Sequence, residues 1–260
     1  MAKINSSAVS MILREIRAAL EAKADEKFRL SVVALGKSPL KTLGVRPSVI
    51  RTVVRDVVAK SRGALDRPTS IALLDAAVAR KCREEILVAI EILERFRRDF
   101  DASIFPHLER WGAVADDVEV AEALGARIAA PALAKEPSRM AMVKKWARLK
   151  SLGKRRFAVL AASGLVSDGR REAALVLDMC EHLLHEDHPI LVSAVAGLLR
   201  DTTKVDAKAV QDFLFRRSID GNPEILRAGS ENLDAARRAA LIAKLEAQSG
   251  VPTQLAAAEK

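Results

Sequence analysis

Carboxylates and cations crowd two neighbouring stretches of this 260-residue chain. In the first, Asp116, Asp117, Glu119 and Glu122 open an apolar-periodic segment. An aspartate just ahead of a helix accepts from an orphan backbone N–H, and negative charge in the first turn complements the helix dipole. Those roles account for Asp116 and Asp117. Glu122 lies beyond the first turn, so two readings stand for it. It is a carboxylate facing a groove, able to stabilise developing positive charge, or an acid on a solvated helix face. In the second stretch Lys144, Lys145, Arg148, Lys150, Lys154, Arg155 and Arg156 follow with no acid among them. That density exceeds an ordinary alternating surface. Lining a groove, such cations would hold phosphates, with affinity falling steeply as salt rises. On an open face they would only aid solubility.

Other constellations carry less chemistry. His182, His185 and Glu186 could share a helix face, but zinc requires enforced geometry and a supporting shell. A polar helix end and turn is the simpler reading, and no metal is expected. Arg95, Arg97 and Arg98 are interrupted by Phe96 and followed by Asp99, which fits a surface helix end. Trp111 and Trp146 read as core anchors. No phosphate-cradling glycine loop, GxSxG or HExxH sequence is present, so no cofactor is expected. Cys82 and Cys180 have no metal-ligand spacing; they read as small core residues of a protein from a reducing compartment.

The net charge of +9 favours polyanionic partners, nucleic acid first among them. Aromatics are scarce, with seven Phe, two Trp and no Tyr. A protein that gripped bases by stacking would want more, since each stack contributes about 1–3 kcal/mol. No uncharged apolar run approaches the roughly 20 residues that span a bilayer. The first ten residues lack the apolar region of a signal peptide. The expectation is therefore a soluble, cytoplasmic protein that is monomeric and does not engage a membrane.

The elements that must position these groups are helical. Val9, Ile12, Leu13, Ile16 and Leu20 fall at i, i+3, i+4 and i+7 spacings, and Val49-Ile50, Val53-Val54 and Val57-Val58 repeat the pattern. Ile86, Ile90 and Leu93 do the same, and no segment alternates as a strand would. Breaks are expected at Gly36–Pro39, Gly44–Pro47, Gly63–Pro68, Pro106, Pro131–Pro137, Gly153, Asp168-Gly169, His188-Pro189 and Gly221–Pro223. They leave about a dozen helices of roughly 10–18 residues. The fold class expected is all-α, an α-solenoid of stacked antiparallel helical hairpins. Residues 1–247 are expected to form one such domain, and 248–260 a flexible tail.

From Trp111 to Leu133 the chain resembles the active-site segment of the AlkD-like DNA alkylation repair glycosylases, a family of HEAT-like (armadillo-type) repeats. Trp111, Asp116, Asp117, Pro131 and Leu133 fall on the family's spacing. Gly44-Val45, Glu84-Glu85-Ile86 with Leu93-Glu94-Arg95-Phe96, and Lys145-Trp146-Ala147 are similar to further family signatures. So are Lys154 through Val159, Ala196 through Asp201 and Leu226-Arg227. The resemblance implies a protein that binds double-stranded DNA in a basic groove and excises N3- or N7-alkylated purines. It places the catalytic carboxylate at Glu122, where the family has Asp, and the backbone-binding arginine at Arg156. Lys145, Arg148, Lys154, Arg155 and Arg227 are the further candidate DNA contacts. The family's aromatic positions are here Val118, Gly197 and Ala228. A catalytically inactive scaffold binding DNA structure or a protein partner is the alternative.

Overall fold

The computed structural model describes residues 6–34, 39–61, 63–167 and 171–249. The expected breaks at 36–38 and at Asp168-Gly169, and the tail from 250 onward, lie outside them. The helices are α1 (Ser6–Glu21), α2 (Glu26–Ala34), α3 (Pro47–Lys60), α4 (Arg67–Arg80) and α5 (Arg83–Glu94). Then come α6 (Phe105–Trp111), α7 (Val118–Leu124), a π-helical turn (Gly125–Ala129), α8 (Ala130–Lys135) and α9 (Met140–Ala147). The chain continues through α10 (Leu152–Ala162), α11 (Ala173–Cys180), α12 (Pro189–Thr203), α13 (Ala207–Arg217), α14 (Pro223–Gly229) and α15 (Ala235–Ser249). Among the described residues there is no strand, only an isolated bridge between Lys41 and Cys82. No described helix is long and apolar enough to cross a membrane.

Local chemistry explains most of the boundaries. Pro47, Pro68, Pro106, Pro189 and Pro223 stand in the first turn of their helices, where a missing N–H costs nothing. Asp66, Asp117, Ser151, Asp206 and Asn222 cap α4, α7, α10, α13 and α14 by accepting from first-turn amides. Several helices are shorter than the spacing of breakers predicts: α6, α7 and α14 have 7 residues each and α8 has 6. Pro131 also departs from expectation, because it does not break the chain's course. Val118 to Lys135 forms one helical rod in which the turn before Pro131 widens to π geometry. The Ala130 N–H donates to the Gly125 carbonyl, five residues back. Pro131 has no N–H to return to residue 127, and the widened turn accommodates that loss.

The helices stack in two rows. In one, α3 packs on α5, α5 on α7, α7 on α10, α10 on α12 and α12 on α14. In the other, α4 packs on α6, α9 on α11, α11 on α13 and α13 on α15. This is an α-solenoid, each hairpin burying its apolar face against the next. Side-chain hydrogen bonds between successive hairpins recur at sequence separations of 31 to 38 residues. That interval is the length of one repeat, which the residue types themselves do not reveal. The core is continuous and takes in the predicted faces of α1 and α3. Helix α5 is buried on nearly every side, as a helix enclosed between neighbours must be. Trp111 is 0% exposed, and its indole N–H donates to Asp75 Oδ1 at 2.8 Å. Trp146 stacks on Phe157 with ring centroids 5.1 Å apart. Both tryptophans are core anchors, as expected.

Candidate functional site

The start of α7 is fixed by charge. Asp117 accepts from the Val120 N–H at 2.9 Å, while its other oxygen lies 3.3 Å from Arg83 Nε on α5. Glu119, two residues on, also pairs with Arg83. Arg83 and Asp117 are both buried, so each needs the other. Asp116 points across to α10 and accepts from Ser151 Oγ at 2.6 Å; that same Oγ accepts from the Lys154 N–H at 3.1 Å. One hydroxyl thus joins the starts of two helices. Gly153 permits their contact, because a Cβ there would fall 1.9 Å from the Ala115 carbonyl oxygen.

This stitching lays Arg156 along α7. Its Nη1 donates to the Val118 carbonyl at 3.0 Å and its Nη2 to Glu122 Oε2 at 3.1 Å. The Arg156 side chain is only 15% exposed, whereas that of Glu122 is 60% exposed. Glu122 therefore presents a carboxylate to solvent on a side chain held from below. It lines a cleft of about 410 Å³ with Glu119, Ala123, Ala126 and Arg127, faced by Ile50 and Arg51 of α3 and by Leu87 and Glu91 of α5. Arg127, from the π turn, reaches Glu94 at 2.8 Å and Glu91 at 3.7 Å. Burial pushes the Glu91 carboxyl above its ordinary range, with Arg127 opposing. Among the described residues no aromatic side chain lines the cleft.

The basic run separates once folded. Lys144 pairs with Asp178, and Arg148 contacts the His182 ring nitrogen. Arg155 Nε lies 2.6 Å from Glu186, its Nη2 donates to the same carboxylate at 3.1 Å, and its Nη1 donates to the Leu149 and Lys150 carbonyls. Lys154 lines a separate small cavity with Glu109, Trp146 and Phe157. Lys145 and Arg227 are exposed. Of the candidate cations, Arg156 is the one brought to Glu122. Burial and then the Arg148 charge hold the His182 pKa below its ordinary 6.5, with Glu181 opposing and Lys144 reinforcing the shift. The imidazole of His188 caps α12 by accepting from the Ile190 N–H. Among the described residues no group of three or more His, Cys, Asp or Glu could hold a metal ion.

At the family's aromatic positions, Val118 is half-buried and Gly197 sits in the middle of α12. A Cβ on Gly197 would meet only Arg200 Nη2, at 3.8 Å. Sequence reasoning did not single out Arg51, Glu91, Glu119 or Arg127 as cleft residues. Their signal is weak because each comes to the cleft from a different turn or helix.

A row of stacked helices with a charged cleft at the junction of α3, α5 and α7 defines an α-solenoid with an open ligand-sized recess. The chain belongs to the DNA alkylation repair enzyme family, whose sequence profile matches residues 16–233. A solved structure described as a predicted DNA alkylation repair enzyme from Enterococcus faecalis is similar in fold. The TM-score is 0.64 at 13% identity, over 82% of this chain and 98% of that one. No curated protein matches.

Proposed function

We propose that this protein binds double-stranded DNA along the α3–α5–α7–α10–α12–α14 row and hydrolyses the N-glycosidic bond of N3- or N7-alkylated purines at Glu122. The observation that carries this reading is the Arg156–Glu122 pair, which holds an exposed carboxylate at a cleft 3.1 Å from a guanidinium. An alkylated purine is already cationic. When its C1′–N bond breaks, the electron pair passes to the base and neutralises it, leaving a cationic sugar. Glu122 supplies the negative charge that stabilises this sugar. Water then adds at C1′ and loses a proton to solvent. Arg156 positions the carboxylate, and the exposed Arg227 of α14 meets a phosphate. In this proposal residues 1–247 act as one monomeric, cytoplasmic domain.

A second reading, binding without excision, is favoured by the cleft's lack of aromatic walls and by the guanidinium that partly neutralises Glu122. The test measures release of 7-methylguanine from alkylated duplex DNA by the protein and by Glu122→Gln. Release that disappears in the variant supports excision. A variant as active as the parent removes Glu122 from the reaction. No release together with salt-dependent duplex binding leaves the second reading standing.

A further inference from the structure

A second recess adjoins the Glu122 cleft, with Arg51 lining both. It has a volume of about 320 Å³ and is lined by Arg51, Val54, Arg55, Val58, Ala59 and Arg95. Its lining thus contains arginines and aliphatic side chains, with no carboxylate. Arg51 and Arg55 stand one turn apart on α3, so their guanidiniums share a face. Arg95 faces them from the C-terminal end of α5.

This composition is unusual for the molecule. Arg17, Arg67, Arg83, Arg127, Arg155, Arg156, Arg200 and Arg217 are each committed to a carboxylate. Arg55 has only a loose pair with Asp56, at 3.7 Å on an exposed surface, a contact of little energetic consequence. Arg95 makes no ion pair among the described residues, and Arg51 makes none within 4 Å, although its charge acts on Glu91 across the first cleft. Three like charges around an aliphatic floor repel one another, and because all three side chains are exposed the repulsion is moderated by solvent and salt. An anion of matching spacing relieves that repulsion, and guanidinium forks are suited to phosphate oxygens.

We infer that the Arg51–Arg55–Arg95 recess holds the phosphodiester backbone of the nucleic-acid strand that flanks the Glu122 cleft, with Val54, Val58 and Ala59 packing under the sugars. The inference rests on the proposed DNA-binding reading and adds the track along which the strand leaves the cleft. It also revises the sequence-based view of Arg95 as a mere helix end.

The test is fluorescence anisotropy of a labelled, lesion-free duplex titrated with the full chain across a salt series. Three proteins are compared with the parent. One carries Arg51→Gln, Arg55→Gln and Arg95→Gln together. A charge-matched control carries Arg171→Gln, Lys208→Gln and Arg238→Gln, all exposed sites outside the recess. The third carries Arg156→Gln. Each phosphate contact removed should lower the magnitude of the slope of log affinity against log salt by about 0.9, so the recess variant should lose about 2.7. The affinity lost between roughly 50 and 200 mM salt should then shrink by about 40-fold relative to the parent. A recess variant whose slope matches the control overturns this inference alone when the parent binds duplex, whatever Arg156→Gln does. A parent chain that binds no duplex at the lowest salt overturns the proposed function with it. Circular dichroism verifies folding, and the single Arg55→Glu variant provides a reversal that should weaken binding further than Arg55→Gln.

Discussion

Arg156 bridges two acceptors on α7, the Val118 carbonyl at 3.0 Å and the Glu122 carboxylate at 3.1 Å. The two bonds contribute differently. The pair with Glu122 is exposed on the carboxylate side, so its net contribution to stability is about 0–1 kcal/mol. The bond to the Val118 carbonyl comes from a largely covered guanidinium and contributes about 1 kcal/mol more. Glu122→Gln should therefore leave the thermal midpoint within about 2 °C of the parent, while Arg156→Gln should lower it by about 2–4 °C. Thermal unfolding followed by circular dichroism checks both. Equal shifts for the two variants would show that the Val118 bond contributes nothing.

Asp117 should matter more than any other carboxylate of the segment. It caps α7 and faces the buried Arg83. Asp117→Ala removes a cap contributing about 1 kcal/mol and one of three carboxylates around the buried Arg83, which keeps Glu119 and Glu84, an added cost of about 1–2 kcal/mol. Denaturant unfolding should show a loss of about 2–3 kcal/mol. A loss below about 1 kcal/mol would mean that Glu119 and Glu84 together satisfy Arg83.

Gly197 leaves room where the family resemblance places an aromatic side chain. Nothing but Arg200 Nη2 comes within 4 Å of a Cβ built there, and the position is mid-helix. Gly197→Trp should keep the parent's helical circular dichroism, because a Cβ has room there and replacing a helical glycine recovers up to about 0.5 kcal/mol of propensity. If the proposed excision is correct, base release should rise as the ring shields the reacting sugar from water. A folded variant with unchanged release would place this face of α12 away from the chemistry.

Both thiols should be inert in the folded protein. Cys180 is completely buried and its pKa is pushed up to about 12 by that burial; Cys82 is raised by burial too, opposed by a backbone hydrogen bond at Glu85 and the Arg17 charge and reinforced by the Glu85 and Glu84 charges. The thiolate is the reactive form, so disulfide-exchange reagents at pH 8 should label neither cysteine until denaturant is added. The sign for stability follows from the raised pKa: above the ordinary thiol range the unfolded chain ionises first, and alkaline pH therefore favours unfolding. Rapid native-state labelling of Cys180 would mean that α11 opens locally, and of Cys82 that the start of α5 does.

Much of the architecture was legible in the residues. Apolar periodicity gave the buried faces of α1 and α3, prolines marked helix starts, and Asp117 announced a cap. These are local matters, decided within one or two turns by backbone sterics and amide satisfaction. Pro131 was misleading because a widened π turn offers the same proline a place inside a continuous rod. The fate of the basic run was not legible either. Seven cations without an intervening acid read as one unpaired basic run, on a groove or on an open face. Folding sets Asp178, Glu186 and Glu122 beside Lys144, Arg155 and Arg156 from the neighbouring hairpins. The sequence by itself determined the helices, their caps and the excess of positive charge. Only the stacking of one repeat on the next decided which charges are neutralised and which remain available. Coulomb attraction acts through space, and the residues that meet across a solenoid lie a full repeat apart along the chain.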